Sequence, residues 1–173
     1  MLRLRPYKRA DARRLLRWPG GRREFEKWCA GKFQYPLTEG QLEEYFERCE
    51  ADLFAWPMTG LDEQGNPVGH ILLRNADYEK GAVHFGFIIM DPGLRGRGLG
   101  RELLTGALSY AFAVLKVEKA TFGVFENNPA AHSCYLSAGF HDVKTLPERF
   151  FYEREQWKII AMECDKKDWI LNR

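Results

Sequence analysis

The chain has 173 residues, of which 45% are hydrophobic and 29% are charged, values typical of one globular domain with its own core. Its 26 basic and 24 acidic residues give a formal net charge of +2, which does not indicate a nucleic-acid-binding molecule as a whole. The four cysteines contain no C-x-x-C pair, which gives no support to a zinc ribbon or a redox motif. We expect buried thiols at Cys29, Cys49, Cys134 and Cys164.

The chain begins without the apolar segment of a signal peptide, and no stretch reaches the roughly 18 apolar residues of a membrane span. We therefore expect a single domain over residues 1–173 in the reducing cytoplasm, with neither membrane nor nucleic acid as a partner. Residues 1–24 carry nine basic and two acidic side chains. This basic segment is either a solvated face or a surface that attracts an acidic partner. With nucleic acid as that partner, the protein would be a nucleic-acid-binding adaptor.

The first third of the chain predicts one strand and two helices. Residues 2–7 alternate apolar and polar side chains, which is typical of a half-buried strand. Asp11 is placed to cap a helix over residues 12–18. Thr38 and Gln41 form the capping-box pattern at the start of the second helix. Helical spacing also occurs at Phe25, Trp28 and Cys29.

The pattern then changes, first to strands and afterwards to alternating helices and strands. Strand-like runs with turns between them occupy residues 53–61, 68–76 and 82–90. The later elements are a helix of about four turns, a strand, a short helix closed by Gly139 and a last strand. They are predicted over residues 102–115, 120–125, 128–139 and 157–164. This order predicts an α/β fold with a mixed, mostly antiparallel sheet flanked by helices and a β-α-β-α-β arrangement in its C-terminal half.

A turn rich in glycine and arginine joins the strand 82–90 to the following helix, with the sequence MDPGLRGRGLGRELL over residues 90–104. The first N–H groups of a helix are unpaired and lie at the positive end of its dipole, so they bind phosphate. Glycines remove the side chains that would block close approach. The spacing fits neither a P-loop nor a Rossmann fingerprint. We predict a pyrophosphate site formed by Arg95, Gly96, Arg97, Gly98, Leu99, Gly100 and Arg101.

Two segments of the chain resemble the GNAT superfamily of N-acetyltransferases. The first is the acyl-CoA motif, Arg or Gln, two residues, Gly, one residue, Gly or Ala, which Arg95, Gly98 and Gly100 match. The second is the downstream Asn-x-x-Ala-x-x-x-Tyr-x-x-x-Gly-Phe segment, matched by Asn128, Ala131, Tyr135, Gly139 and Phe140. The last strand, WKIIAMEC, also resembles the branch that acetylates protein N-termini.

The resemblance implies the GNAT fold, acetyl-CoA as co-substrate and no metal. It implies acetyl transfer to a primary amine, either a protein N-terminus or a small molecule, by a monomer or homodimer. The sequence shows no Ser-His-Asp or Cys-His arrangement, so we expect direct transfer in a ternary complex without an acyl-enzyme. The alternative is a non-catalytic acyl-CoA-binding sensor.

The resemblance also assigns roles within the cofactor site. The backbone of the strand that ends at Ile88, Ile89 and Met90 should pair with the pantetheine arm in a wedge between two splayed strands. Asn128 should hydrogen-bond the cofactor or fix the loop beside it. Tyr135 is the candidate general acid for the departing sulfur, and the alternative is a tyrosine that only packs in the core.

The general base stays open between three alternatives. Many relatives carry a glutamate on the strand before the glycine turn, whereas here His84 is the only titratable residue in residues 82–90. An imidazole is chemically suited to this role. Glu126 beside the second motif is a rival, and a water chain ending on backbone carbonyls is the third alternative.

The acceptor groove of this family implies a role for the segment after the first helix. Aromatic side chains there form either a groove wall or ordinary core, and the carboxylates are available to attract a cationic amine. These residues are Trp28, Phe33, Tyr35, Glu24, Glu26 and Glu39.

Overall fold

The computed structural model describes residues 1–171, in which seven strands form one sheet flanked by six helices. The strands are β1 (Arg3–Pro6), β2 (Trp56–Leu61), β3 (Pro67–Asp77), β4 (Ala82–Met90), β5 (Lys119–Phe125), β6 (His141–Tyr152) and β7 (Glu155–Asp165). The helices are α1 (Ala12–Leu15), α2 (Arg22–Cys29), α3 (Glu39–Ala51), α4 (Leu99–Ala113), α5 (Pro129–Ser137) and α6 (Lys166–Leu171).

The sheet has the strand order β1-β2-β3-β4-β5-β7-β6. Its neighbouring strands run antiparallel with one exception in the described part of the chain, the parallel pair β4 and β5 that α4 connects. This confirms the predicted fold class. Over residues 1–171, every helix is too short or too polar to cross a membrane.

The predicted order does not contain helix α2, strand β6 or helix α6. Strand β6 is exposed along most of its length, so it lacks the apolar alternation by which strands are predicted. It forms because β7 pairs with it, for example Thr145 opposite Ile160 and Phe150 opposite Trp157. Helix α6 is held by Trp169, whose ring lies 5.5 Å from that of Phe112.

Asp11 does not cap α1 as predicted. Its carboxylate accepts hydrogen bonds from Arg5 at 2.7 Å, from the Lys8 N–H at 2.9 Å and from the Thr59 hydroxyl at 2.8 Å. Burial raises the pKa of Asp11, but these donors, with Arg5 first among them, outweigh it and hold the pKa below its ordinary value. Asp11 therefore ties the segment before α1 to β1 and β2.

The core lies on both faces of the sheet. One cluster packs α4 and α5 against inward side chains such as Ile71, Leu73 and Phe85. The other packs α1, α2 and α3 against Leu72 and Ile89 from the opposite face. Strand β3 is therefore apolar on both faces over most of its length, because successive side chains of a strand point to opposite sides.

Strand β4 keeps β3 as a neighbour along its length but loses β5 after its first three residues, and this loss opens the sheet. Its parallel pairing with β5 covers Ala82, Val83 and His84 only. The register against β3 shifts between Gly86 and Ile89, and Phe87 has φ of +49°, which marks a β-bulge that bends the strand. Because β5 continues along β7 instead, a wedge separates the second half of β4 from β5.

Candidate active site

The wedge between β4 and β5 forms part of a cleft of about 920 Å³. The turn before α4 lines one end, residues of α5 line its side, and residues of α2 and β3 line the other end. Most of the predicted site residues meet there. They are His84, Ile88, Ile89, Met90, Arg95, Gly96, Gly98, Leu99, Gly100, Arg101, Asn128 and Tyr135.

The glycine turn leaves backbone open to the cleft at two positions. Gly96 and Gly98 have φ of +75° and +78°, and a Cβ added at either would meet nothing within 4 Å. Gly98 precedes α4, whose first N–H groups donate no hydrogen bond to a side-chain cap. The only acidic residue of that first turn, Glu102, points away and accepts from the Leu2 N–H at 2.6 Å. The helix end is therefore available to an anion.

Gly100 serves a different purpose from the other two glycines. A Cβ there would lie 3.0 Å from Sγ of Cys134 on α5, so its role is close packing between helices. Cys134 is half-buried and lines the cleft, while the other three cysteines are buried as expected, and all four are free thiols.

The three arginines of the turn do not all face the cleft. Arg95 and Arg101 belong to its lining, whereas Arg97 does not. All three are exposed and form no ion pair with any residue of the described chain. Arg95 and Arg101 are thus free to pair with phosphate oxygens at the helix end, for which a guanidinium fork is well suited.

Tyr135 lies on α5 with its ring against the edge of the wedge. It is 6% exposed, and its ring contacts that of Phe122 edge-on at 4.5 Å between centroids. The structure shows no hydrogen-bond partner for its hydroxyl within residues 1–171. Burial raises the pKa of Tyr135 well above its ordinary value, so the phenol keeps its proton at neutral pH and can donate it.

His84 is the last residue of β4 that pairs with β5, and it lies at the base of the wedge. Its ring is stacked 6.4 Å from the ring of Phe122, the same ring that Tyr135 contacts. Burial, with the charge of Arg74 adding to it, lowers the pKa of His84 to about 4. The imidazole is therefore neutral at pH 7.

Thr121 contacts both the ring of His84 and the backbone of the neighbouring strand. Its hydroxyl lies 3.0 Å from Nδ1 of His84 and 3.5 Å from the Val83 carbonyl oxygen. In the tautomer in which Thr121 donates to Val83 and accepts from Nδ1–H, the lone pair of the neutral ring lies on Nε2, where it can accept a proton.

Asn128 and Glu126 have structural partners. The Asn128 side chain accepts from the Ala131 N–H at 3.3 Å and so caps α5, which corresponds to the loop-fixing role. Glu126 is exposed and does not belong to the cleft lining. Its carboxylate lies 3.3 Å from the Lys158 backbone N and 3.5 Å from Nζ of the same lysine.

The predicted acceptor segment contributes fewer residues to the cleft than expected. Trp28 lines it and stacks on the buried ring of Phe33 at 5.4 Å. Of the three candidate carboxylates only Glu24 is in the lining, where it accepts from Lys27 at 3.1 Å.

Arg74 and Phe122 were not predicted as site residues. Phe122 gives no signal because it is one apolar residue in an apolar strand. Arg74 does give one, since it is the only charged residue of the run VGHILLRNA, residues 68–76. A single charge in a strand that is apolar on both faces marks a candidate binding position.

Comparison with known proteins identifies the family. The chain matches an acetyltransferase (GNAT) domain over residues 1–141, and it therefore belongs to the GNAT acetyltransferase family. It is an N-acetyltransferase, which confirms both the family and the enzyme class predicted from the sequence.

Its relatives include acetyltransferases of polyamines. The chain is 30% identical over 151 residues to the spermidine N(1)-acetyltransferase of Vibrio cholerae. The aligned segment covers 87% of this chain and 84% of that protein. It is 25% identical over 115 residues to an N-acetyltransferase 9-like protein of Nematostella vectensis, with 66% and 54% covered. The chain spans about half the length of that second relative.

Solved structures of the Vibrio cholerae enzyme have the same fold. Its complex with CoA and spermine has a TM-score of 0.84 at 26% identity, with 98% of each chain covered. A chimera of that enzyme with hSSAT has a TM-score of 0.82 at 28% identity, with 99% of each chain covered.

Proposed function

We propose that this protein transfers the acetyl group of acetyl-CoA directly to a primary amine within a ternary complex. The wedge between β4 and β5 carries the proposal, because one cleft joins an uncapped helix end to a proton acceptor and a proton donor. The complex of the Vibrio cholerae enzyme with CoA and spermine supports both a CoA donor and an amine acceptor.

The residues present fit a CoA molecule. The turn at Gly96 and Gly98 would hold the diphosphate through backbone N–H groups, with Arg95 and Arg101 pairing with its oxygens. The open edge of β4 at residues 88–90 would hydrogen-bond the amide groups of the pantetheine arm. When bound, CoA supplies the activated acetyl group as a thioester.

The proton transfers are assigned to two side chains of the cleft. As the nitrogen forms its bond to the acetyl carbon, it loses a proton to Nε2 of His84, directly or through a water molecule. The carbon–sulfur bond breaks, and the sulfur receives the proton of the Tyr135 hydroxyl. Atoms and charges balance when the phenolate and imidazolium exchange a proton with solvent.

Direct transfer is favoured because the cleft-lining residues that the structure describes include no activated nucleophile. Burial raises the pKa of Cys134, so this thiol stays protonated, and the Nδ1 atom of His84 is hydrogen-bonded to Thr121 rather than to a thiol. Orientation of two substrates in one cleft can itself lower the barrier by roughly 7 to 11 kcal/mol in the best cases.

A thiol-release assay with acetyl-CoA and a panel of primary amines tests the proposal. We expect acetyl transfer to at least one amine with initial rates that follow sequential rather than ping-pong kinetics. Binding of CoA without transfer to any amine would instead identify a non-catalytic sensor. Ping-pong kinetics would contradict direct transfer.

A further inference from the structure

Arg74 is positioned beside the proposed base on the acceptor side of the sheet. It lies opposite His84 in the antiparallel pair of β3 and β4. Its guanidinium passes over Gly86, where an added Cβ would lie 3.3 Å from Nε, and its Cζ lies 5.5 Å from the centre of the Phe87 ring. The absence of a side chain at Gly86 gives the guanidinium its place in the cleft.

This guanidinium has no anionic partner in the described chain. Its Nε is buried without a hydrogen bond, and Arg74 forms no ion pair with residues 1–171. Its neighbours Tyr45 and Cys49 are neutral, since burial raises the pKa of Tyr45 and raises that of Cys49 to about 11. Arg74 is half-buried, and its buried Nε–H without a hydrogen-bond partner is costly, which favours an anion bound at this guanidinium.

The charge of the whole cleft points in the same direction. Glu24 is its one carboxylate among the lining residues that the structure describes, and it is already paired with Lys27. Arg95 and Arg101 lie at the turn proposed to hold the CoA diphosphate, and the basic residues of the remaining lining are Lys27, Lys32 and Arg74. A polyamine with several positive charges would meet more cations than carboxylates here, and like charges placed together disfavour binding.

We propose that the acceptor of this enzyme carries a carboxylate close to the amine that is acetylated, and that Arg74 binds this carboxylate. The inference rests on the proposed function, because it places the acceptor amine at His84. The two residues face each other across the strand pair, and the charge of Arg74 acts on the pKa of His84. An acceptor that contacts both side chains therefore carries its carboxylate near its amine, as an α-amino acid does.

Binding of this carboxylate would also prepare the base. The charge of Arg74 is one of the causes that lower the pKa of His84. A carboxylate paired with Arg74 offsets that charge and raises the affinity of Nε2 for a proton. Specificity and proton transfer would thereby act through the same side chain.

The test compares acceptors that differ only in this charge. We would measure kcat/KM of the wild-type protein for α-amino acids, for their α-carboxamides and for spermidine. Peptides that begin with aspartate or asparagine form a second pair, which distinguishes a free amino acid from the acidic end of a protein. We expect the carboxylate member of at least one pair to react about 10-fold or more faster.

Substitution of Arg74 tests the assignment to this residue. Arg74→Met keeps the apolar stem and removes the charge, so we expect a loss of about 100-fold in kcat/KM for the carboxylate acceptor. The carboxamide should change by less than about threefold, because it never paired with the charge. Arg74→Lys should restore part of the discrimination, since it keeps the charge without the fork.

Lys27→Met is the matched control, because Lys27 is a cleft cation that already has a carboxylate partner. It should leave the preference for carboxylate acceptors unchanged, and CoA affinity measured by calorimetry verifies that each variant is folded. Transfer to spermidine without preference for any carboxylate acceptor would overturn this inference while leaving the proposed function intact. Absence of acetyl transfer to any of the amines would overturn both this inference and the proposed function.

Discussion

The two ends of the cleft bind through different kinds of atoms. The end formed by residues 94–101 offers main-chain N–H groups that Gly96 and Gly98 leave uncovered. The other end offers side chains from three separate elements: Trp28 on α2, Arg74 on β3 and His84 on β4. Backbone groups recognise what every acyl-CoA has in common, whereas side chains can differ between relatives without a change of fold. We therefore expect the donor end to be the constant part and the acceptor end to determine specificity.

Disruption of the donor end should have the largest effect. Gly98→Asp forces an L-residue into φ of +78° and places a negative charge at the helix end, where it would repel phosphate. We expect CoA affinity to fall by about 100-fold or more, measured by calorimetry.

Gly65→Asp provides the control for Gly98→Asp. Gly65 has φ of +85° with nothing within 4 Å of an added Cβ, but it lies in the turn between β2 and β3, outside the cleft lining. The variant carries the same strain and charge and should bind CoA normally. Equal affinities for CoA in the two variants would show that the diphosphate binds elsewhere.

The next largest effect is expected between the two ends, at Tyr135. Tyr135→Phe keeps the ring against Phe122 and removes the proton donor. We expect kcat to fall by about 100-fold, the lower range for loss of a general acid, with CoA affinity within about threefold of wild type. An unchanged kcat would show that Tyr135 only packs in the core and does not act as the general acid.

A smaller effect is expected on the pH profile of kcat/KM. It tests whether the charge of Arg74 changes the pKa of His84. His84 accepts a proton only when neutral, so activity is lost as pH falls through its pKa of about 4. Arg74→Met removes a positive charge that lowers this pKa, and the acidic limb of kcat/KM should move to higher pH. A limb that stays in place, or moves to lower pH, would contradict the coupling of these two residues.

The smallest effect on activity is expected outside the cleft. Asp11→Asn weakens the hydrogen bonds that join Arg5, Lys8 and Thr59, and we expect a loss of roughly 1.5 to 3 kcal/mol in the free energy of unfolding at pH 7. Because the folded pKa of Asp11 is lowered, its stabilisation is present above the ordinary carboxyl pKa and is lost as pH falls below it.

Urea denaturation at pH 7 and at pH 3 measures the role of Asp11. The variant should lose less stability than wild type between these two values, while its kcat at pH 7 remains close to that of wild type. An equal loss of stability in both proteins would exclude the proposed role of this carboxylate in acid sensitivity.

The donor end could be predicted from the sequence because its determinants are local. Gly96 and Gly98 need only their own backbone conformation and the helix that follows them, and both are visible within residues 90–104. The distinction between Gly98 and Gly100 was not visible, since the contact of Gly100 is with Cys134 on another helix. The place of Glu126 near the second motif made it a candidate base, whereas in the tertiary structure its carboxylate contacts Lys158.

The amino-acid sequence by itself determined the alternation of elements, the glycine turn and the match of both motifs, because periodicity, backbone freedom and spacing act over short segments. The tertiary structure decided where β4 leaves β5, that His84 and Tyr135 contact one ring, and that Arg74 lies beside the proposed base with no ion-pair partner in residues 1–171. These facts depend on burial and on pairing between residues far apart in the chain. Burial and charge at long range set the pKa of His84, and no local pattern contains that information.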